Sequence, residues 1–473
     1  VRELKFFNTL GRELQDFSPI EGSHVRLYTC GPTIYNHVHI GNLRTFLWED
    51  VLRRTLKRFG YRITQVMNLT DVDDKTIRGA AEAGLPLKEF TSRYAESFFS
   101  DLETLGAEKA EHYPRATDYI PQMIEIVEKL EERGHTYASD GSVWFKISTF
   151  PAYGKLSGIN LAEARPGARV ADDEYEKEDP KDFALWKNAK PGEPSWPSPW
   201  GDGRPGWHLE CSAMSMDLLG EHFDIHTGAV DNIFPHHENE IAQSEGATRH
   251  PFVNYWLHAE HLIVDGEKMS KSKGNFYLLK DVLERQNNPA AVRYLFLSVP
   301  YRQKLNFTWD SLSAAAQAVD RLKNFQRQLA ELVELKSAGA RNPVSPNFSY
   351  ENEIIRPFEN EFDASLADDL NTAAALGALF KLLRSVYVSI EAGQINSADA
   401  SRALGALRAA DSVIGVLPSG EEILPAEVER LIAERLDARK RRDFARSDAI
   451  RDELAAGGII LEDTANGTRW KKA

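Results

Sequence analysis

His24-Val-Arg-Leu-Tyr28 alternates polar and apolar side chains and reads as a strand, and Tyr61-Arg-Ile-Thr-Gln-Val-Met67 reads as the next. Between them, residues 42–59 place Leu43, Phe46, Leu47, Val51, Leu52 and Leu56 on one face at helical spacing. Strand, helix and strand of these lengths read as a βαβ unit, hence a parallel sheet and an α/β fold. In open sheets of that kind ligands collect beyond the carboxyl ends of the strands. Here that end carries Cys30, then Gly31-Pro32, a turn signal that stops the ladder. His39-Ile-Gly-Asn42 follows at the start of the helix. One short stretch therefore holds a candidate soft metal ligand and a candidate phosphate site at a helix N-terminus.

The strand and helix alternation continues to about residue 106, with a helix opened by Asp74-Lys75, a break at Gly84-Leu-Pro86 and a further helix over residues 93–105. Between about residues 114 and 199 the character changes. A helix over 119–133 precedes a hairpin-like stretch, 137–146, whose Asp140-Gly141 is a turn signal. An acidic run (Asp172, Asp173, Glu174, Glu176, Glu178) then leads into a Pro/Trp-rich segment, 191–200, and the whole reads as an insertion into the sheet domain. The α/β pattern resumes with a helix over 211–219, a strand over 223–226, a helix over 236–244 and short strands at 254–258 and 262–264. Beyond Asn306 helical periods dominate, over 311–335 and 373–392, around a Gly/Pro/Ser/Asn loop at 337–348. A small final unit begins near Pro418. The expected domains are 1–117 and 201–305 (two halves of a Rossmann-like catalytic domain), 118–200 (inserted), 306–417 (linking helices and helical bundle) and 418–473.

A chain of 473 residues exceeds one ordinary core. Its net charge of −14 argues against nonspecific coating of nucleic acid, though a local basic surface suffices for an RNA partner. No apolar run approaching the ~18 residues of a membrane span is expected, and the charged start, Val1-Arg-Glu-Leu-Lys5, is unlike a signal peptide. A cytoplasmic protein without a membrane partner is the expectation, and, with no heptad seam, a monomer. In a reducing compartment the two cysteines, Cys30 and Cys211, are metal ligands or plain buried thiols rather than a disulfide.

Three sets of residues carry chemistry, each beside a plainer reading. Cys30, Cys211, His236 and Glu240 supply two thiolates, an imidazole and a carboxylate, with His236 and Glu240 on one face if helical. Buried thiols and a capping His-Glu pair are the alternative. His39-Ile-Gly-Asn42 offers free N–H donors, a glycine for close approach and His39 as a further donor, or a simple helix cap. Lys268-Met-Ser-Lys-Ser272 with Lys273-Gly274 follows a strand and suits a triphosphate whose charge grows during displacement, or is a solvated turn.

Taken together and in order, the motifs resemble the cysteinyl-tRNA synthetases, a class I aminoacyl-tRNA synthetase family. The resemblance rests on Tyr28-Thr-Cys-Gly31, His39-Ile-Gly-Asn42, Asn68-Leu-Thr-Asp-Val-Asp-Asp74 and Pro205-Gly-Trp-His-Leu-Glu-Cys-Ser-Ala-Met214. It extends through Phe234-Pro-His-His-Glu-Asn-Glu240, Trp256-Leu-His258, Val264-Asp-Gly-Glu-Lys-Met-Ser-Lys-Ser272, Tyr301-Arg302, Leu305-Asn-Phe-Thr308 and Asp368-Asp-Leu-Asn-Thr372, nearly the whole chain.

The resemblance implies one zinc ion on Cys30, Cys211, His236 and Glu240, binding the thiol of substrate cysteine. A zinc-bound thiol ionises and forms a soft bond that a serine hydroxyl forms poorly, so no editing domain is needed. It implies an amino-acid pocket lined by Thr70, Trp207, His226 and Asp231, with Asp231 on the ammonium and Trp207 as a wall. His39, Gly41 and Asn42 would meet ATP, with its Mg²⁺, and Lys271, secondarily Lys268, would stabilise the pentavalent phosphorus and departing pyrophosphate. Asn42 departs from the family's usual histidine: it donates a hydrogen bond but carries no charge. Thr227-Gly-Ala-Val230 departs from a glycine-rich run. The bundle around 368–372 would support tRNA(Cys). Arg435, Arg439-Lys-Arg-Arg442, Arg446 and Arg451, with Gly467-Thr-Arg-Trp-Lys-Lys472, would form the anticodon-binding domain through phosphate contacts and base stacking. Two rivals remain: a cysteine ligase that passes the adenylate to an amino-sugar of the mycothiol pathway, and a noncatalytic RNA-binding paralogue.

Overall fold

The His24–Thr29 strand lies inside a four-stranded sheet, in the order Val253–Ala259, Phe223–Ala229, His24–Thr29, Arg62–Met67. Every pairing in it is parallel, with Tyr28 opposite Val66 on one side and His226 on the other. The chain crosses from the central strand to Arg62–Met67 on one side and returns much later to Phe223–Ala229 on the other. That reversal makes a switch-point crevice at the strand ends, where Cys30 sits. The computed structural model describes residues 3–159, 179, 181–334, 349–418, 426–441, 443–464 and 467–472.

Alternation along the central strand sorts its side chains to two cores. Val25 and Leu27 pack with Trp48, Leu52 and Leu56 of the Ile40–Arg58 helix, while Tyr28 packs on the other face with Leu209, Met214 and Phe223. Beyond the main sheet, Leu262–Val264 pairs in parallel with Leu305–Phe307, so the loop carrying Lys268 and Lys271 hangs from a second small sheet.

The inserted region forms its own antiparallel sheet, Thr136–Ser139, Ser142–Phe145, Phe183–Asn188 and Gly203–Pro205. Its first turn is Asp140-Gly141, both at positive φ (50° and 70°), as a two-residue hairpin of the twisted kind requires. The last two strands escape sequence reading: Phe183–Asn188 is buried on both faces and so does not alternate. The N-terminal hairpin, Lys5–Asn8 with Glu13–Asp16, was likewise not anticipated as a hairpin. The acidic run at 172–178 and the 337–348 loop lie outside the described residues.

Four helices, Trp309–Glu334, Arg356–Ala367, Thr372–Glu391 and Ser397–Ile414, pack around Leu322, Phe325, Phe362, Leu379 and Leu407. Thr372–Glu391 corrects one expectation, because among the described residues it is one helix long and apolar enough to cross a membrane. Its apolar length is explained by packing: Ala375, Leu376, Leu379, Leu382 and Val386 face the bundle core.

The chain divides into two compact units, residues 1–417 and 418–473. The second has helices Ala426–Lys440 and Phe444–Ala456 and a hairpin, Ile459–Thr464 with Gly467–Lys472. Its basic residues are not all presented to solvent. Arg435 is buried, and Arg446 is bound to Glu434 at 2.9 Å, whereas Arg439, Arg441 and Arg451 are exposed.

Candidate active site

Gly31 fixes the first corner of the site. A Cβ there would stand 1.7 Å from the Asn68 carbonyl oxygen, so only glycine lets the chain turn after Cys30. The Gly31 N–H donates to Asn68 Oδ1 (2.8 Å), and Asn68 Nδ2 donates to Thr70 Oγ1 (3.1 Å). Thr70 is buried and its own N–H donates to the Pro32 carbonyl. The end of Arg62–Met67 thereby pins the turn that carries Cys30.

Cys211 arrives on the helix Trp207–Leu219, which starts earlier than periodicity suggested. His236 lies in the wide helical turn Ile233–His237, which is broken only at Phe234 (φ −139°, ψ 131°) and leads directly into the regular helix Glu238–Thr248. The i,i+4 pair faces one way as expected, with His236 Nε2 3.0 Å from Glu240 Oε1. Ligand atoms of Cys30, Cys211, His236 and Glu240 all lie within 4.8 Å of one another, and all four residues are enclosed.

The group fits a metal ion on its own chemistry. Glu240 Oε1 is buried with no hydrogen-bond donor, a costly arrangement that a cation would relieve. Two sulfurs, an imidazole nitrogen and a carboxylate oxygen are a zinc-type donor set. His236 Nδ1 meets His208 Nδ1 at 2.8 Å and Glu240 Oε2 meets His226 Nε2 at 2.9 Å, so both ligands are oriented from behind. Trp207, 41% exposed, stacks on the His236 ring (centroids 4.3 Å apart). His226 is placed differently from Trp207: it is fully buried beneath Glu240, stacked on Trp256.

Burial pushes the Glu240 carboxyl up to about 8 and the Cys30 thiol well up, and drives His236 down to about 3. The imidazole is thus already in its ligand form, while the carboxyl and thiol must release protons to bind a cation. Metal affinity is therefore expected to rise between about pH 6 and pH 8, with proton release on uptake. Chelator-competition titrations at the two pH values check this; equal affinities would contradict it. Glu240→Gln is expected to weaken metal retention on the order of 10–100-fold, read by dialysis and metal analysis.

The second half of the site starts at His39, which caps the Ile40–Arg58 helix. Its Nδ1 accepts from the N–H groups of Gly41 (3.1 Å) and Asn42 (3.3 Å), so in the neutral ring the proton is on Nε2, pointing away from the cap as a donor. Burial lowers the His39 pKa, which favours that neutral form; the charge of Asp231 opposes the shift. Asn42 Oδ1 accepts from the His39 N–H (3.3 Å), completing a capping box and explaining how asparagine serves here. Asp231 is exposed in the turn Val230–Asn232, its Oδ1 3.9 Å from His261 Nδ1. The lysine loop folds over this corner. A Cβ on Gly41 would lie 2.7 Å from Met269 Cε, Ile40 N–H donates to Tyr277 O (3.0 Å), and Phe276 sits edge-on to His39 (5.2 Å) and under Lys271 Nζ (5.3 Å). Lys268 is exposed at the end of Glu267–Lys268.

Sequence reading missed His208, His237, His258 and Phe276. The histidines sit next to or between expected site residues, and only their spatial convergence distinguishes them from core packing.

Residues 16–317 match the family model of tRNA synthetases class I (C) catalytic domain. Residues 361–418 match the DALR domain, and 422–470 the Cysteinyl-tRNA ligase anticodon binding domain. A Cysteine--tRNA ligase of Brachyspira hyodysenteriae is 46% identical, with all of both chains covered. The chain belongs to the cysteinyl-tRNA synthetase family. Another member, a Cysteine--tRNA ligase of Leptospira interrogans, is 47% identical over 99% of each chain. The class I architecture extends to Mycobacterium tuberculosis methionyl-tRNA synthetase in complex with methionyl-adenylate (TM-score 0.60, 16% identity, covering 84% of this chain and 90% of that one). A leucyl enzyme of Agrobacterium radiobacter, in a ternary complex with tRNA, is similar at TM-score 0.61 and 11% identity, over 85% of each chain. At these identities the likeness is one of fold.

Proposed function

We propose that the chain is a cysteine–tRNA ligase: it joins L-cysteine to AMP at the expense of ATP and passes the cysteinyl group to tRNA(Cys). The observation that carries this reading is the convergence of Cys30, Cys211, His236 and Glu240 beside the helix capped by His39. A zinc ion held there would bind and ionise the substrate thiol, selecting cysteine over serine.

The chain's own residues do the rest. Trp207 closes one side over His236, Thr70 holds the Cys30 turn, and Asp231, between His39 and His261, takes the ammonium. His226 positions Glu240 rather than touching substrate, which follows from its burial. The cysteine carboxylate attacks the α-phosphorus of ATP, forming the acyl–phosphate bond as the bond to pyrophosphate breaks. His39 Nε2–H and the Asn42 side-chain amide would donate to the phosphates, the first backbone N–H groups of the helix being taken by His39 and Tyr277, and Mg²⁺ would accompany ATP. Lys271 and Lys268 meet the negative charge that builds up on the departing pyrophosphate. A hydroxyl of the tRNA terminal ribose then attacks the acyl carbon and AMP leaves. The 1–117 and 201–305 segments would carry this chemistry, 118–200 would be the insertion, 306–417 would support the tRNA, and 418–473 would read the anticodon. We place the enzyme in the cytoplasm as a monomer.

The test is cysteine-dependent ATP–pyrophosphate exchange, followed by transfer to tRNA(Cys) and to an amino-sugar acceptor, with and without a zinc chelator. Chelator-sensitive exchange and tRNA charging are expected. Exchange with transfer only to the amino-sugar would overturn the tRNA assignment, and no exchange would overturn both.

A further inference from the structure

Beneath the Cys/Cys/His/Glu group a second set of ligand atoms converges. Cys30, His226, His237 and Glu240 also bring one ligand atom each within 4.8 Å of the others, and all four are enclosed. Cys30 Sγ is 3.2 Å from His237 Nε2, His226 Nε2 is 2.9 Å from Glu240 Oε2, and His237 Nε2 is 4.0 Å from Glu240 Oε1. Each imidazole is held from behind, as metal-binding histidines are. His226 Nδ1 faces the Thr227 carbonyl at 3.3 Å. His237 Nδ1 meets His258 Nε2 at 2.8 Å, and His258 Nδ1 meets Thr9 Oγ1 at 2.7 Å. A carbonyl oxygen only accepts, so in neutral His226 the proton sits on Nδ1 and the Nε2 lone pair points at Glu240. In that tautomer either the proton of the Glu240 carboxyl or a cation bound in its place satisfies the lone pair.

We propose that the site has a second, inner metal position, built from Cys30, His226, His237 and Glu240. It shares Cys30 and Glu240 with the outer position and so holds an ion only when the outer one does not. The two differ in chemistry. The outer set has two sulfurs, which favour zinc and other thiophilic ions; the inner has one sulfur and two imidazoles, which suit nickel or copper. They differ also in access. His236 of the outer set lies against half-exposed Trp207, whereas His226 and His237 are fully buried with no face towards the pocket. An ion in the inner position therefore cannot take a substrate thiol, and a chain carrying nickel there is loaded with metal but unable to select cysteine. The proposal rests on the outer group being the substrate-facing one.

The test is cobalt(II) and nickel(II) binding. A Cys211→Ser/His236→Ala double variant is expected to bind one cobalt per chain, with the weaker charge-transfer band of a single thiolate. Adding His237→Ala should then lower the affinity by at least about tenfold. A double variant that binds no cobalt, or an affinity that His237→Ala leaves unchanged, overturns the inner position. An unmodified chain giving the same one-thiolate cobalt spectrum as the double variant would instead sink the outer assignment. X-ray absorption of the unmodified nickel-loaded chain needs no variant to fold. One sulfur with two imidazoles is expected; a two-sulfur shell, or no nickel bound, overturns the proposal.

Discussion

Lys271→Ala is expected to lower the rate of cysteine activation on the order of 10²–10³, with little change in the KM for cysteine. The reason lies in where the ammonium rests. Lys271 Nζ stands over the Phe276 ring, which meets His39 edge-to-face, so lysine, aromatic and the helix-capping histidine lie together at the helix N-terminus. An ammonium on an aromatic face gains about 0.5–1 kcal/mol at an exposed site. That is far less than a multiply charged triphosphate offers, so the ammonium can leave the ring for ATP. Its help is needed most when charge has built up on the leaving group, and the loss should therefore fall on kcat. Lys268 sits on the strand before the loop, farther along the chain from Phe276, and its loss should cost less. Exchange kinetics with each variant check both. A Lys271→Ala loss below tenfold, or one confined to the KM for cysteine, would place the lysine outside the phosphate site.

Local turn chemistry made much of this site legible in the sequence. Gly31 after a strand and His39 before an amphipathic helix are signals carried by a few adjacent residues, and both elements form where they point. The coming together of Cys211, His236 and Glu240 with Cys30 could be taken only from the resemblance, because it depends on a long insertion returning the chain to the far side of the central strand. What escaped reading has physical causes. His237 and His258 sit in apolar company and look like core residues until their ring nitrogens are seen to line up. The strand Phe183–Asn188 is enclosed and lacks alternation. Arg435 belongs to a run of basic residues that reads as a cationic face, yet the helix turns it inward.

The same long-range dependence predicts the largest effect on stability. Asp50 lies on the helix that His39 caps, and is buried with Arg293, which is only 1% exposed. Asp50 Oδ2 accepts from Arg293 Nη2 (2.6 Å) and from Arg54 Nε (2.8 Å), while Oδ1 accepts from the Glu108 N–H (2.8 Å). Arg293 also donates to the Ile414 carbonyl (2.5 Å), and Arg54 to that of Ser412 (3.0 Å), at the end of Ser397–Ile414. One carboxylate thus bridges two guanidinium groups that clasp the Ile40–Arg58 helix to the last bundle helix. Removing it leaves a buried arginine without its counter-charge. Asp50→Ala is therefore expected to cost about 3–5 kcal/mol. Asp363 offers a built-in contrast: it accepts from Arg58 Nε (2.6 Å) on the same helix, but is about one-third exposed. Its replacement by alanine should cost only about 0–1 kcal/mol. Equilibrium urea unfolding of the two variants side by side distinguishes a buried hub from a surface latch. If Asp50→Ala proves no more costly than Asp363→Ala, the carbonyl contacts of Arg293 alone suffice to hold it, and the clasp does not depend on charge.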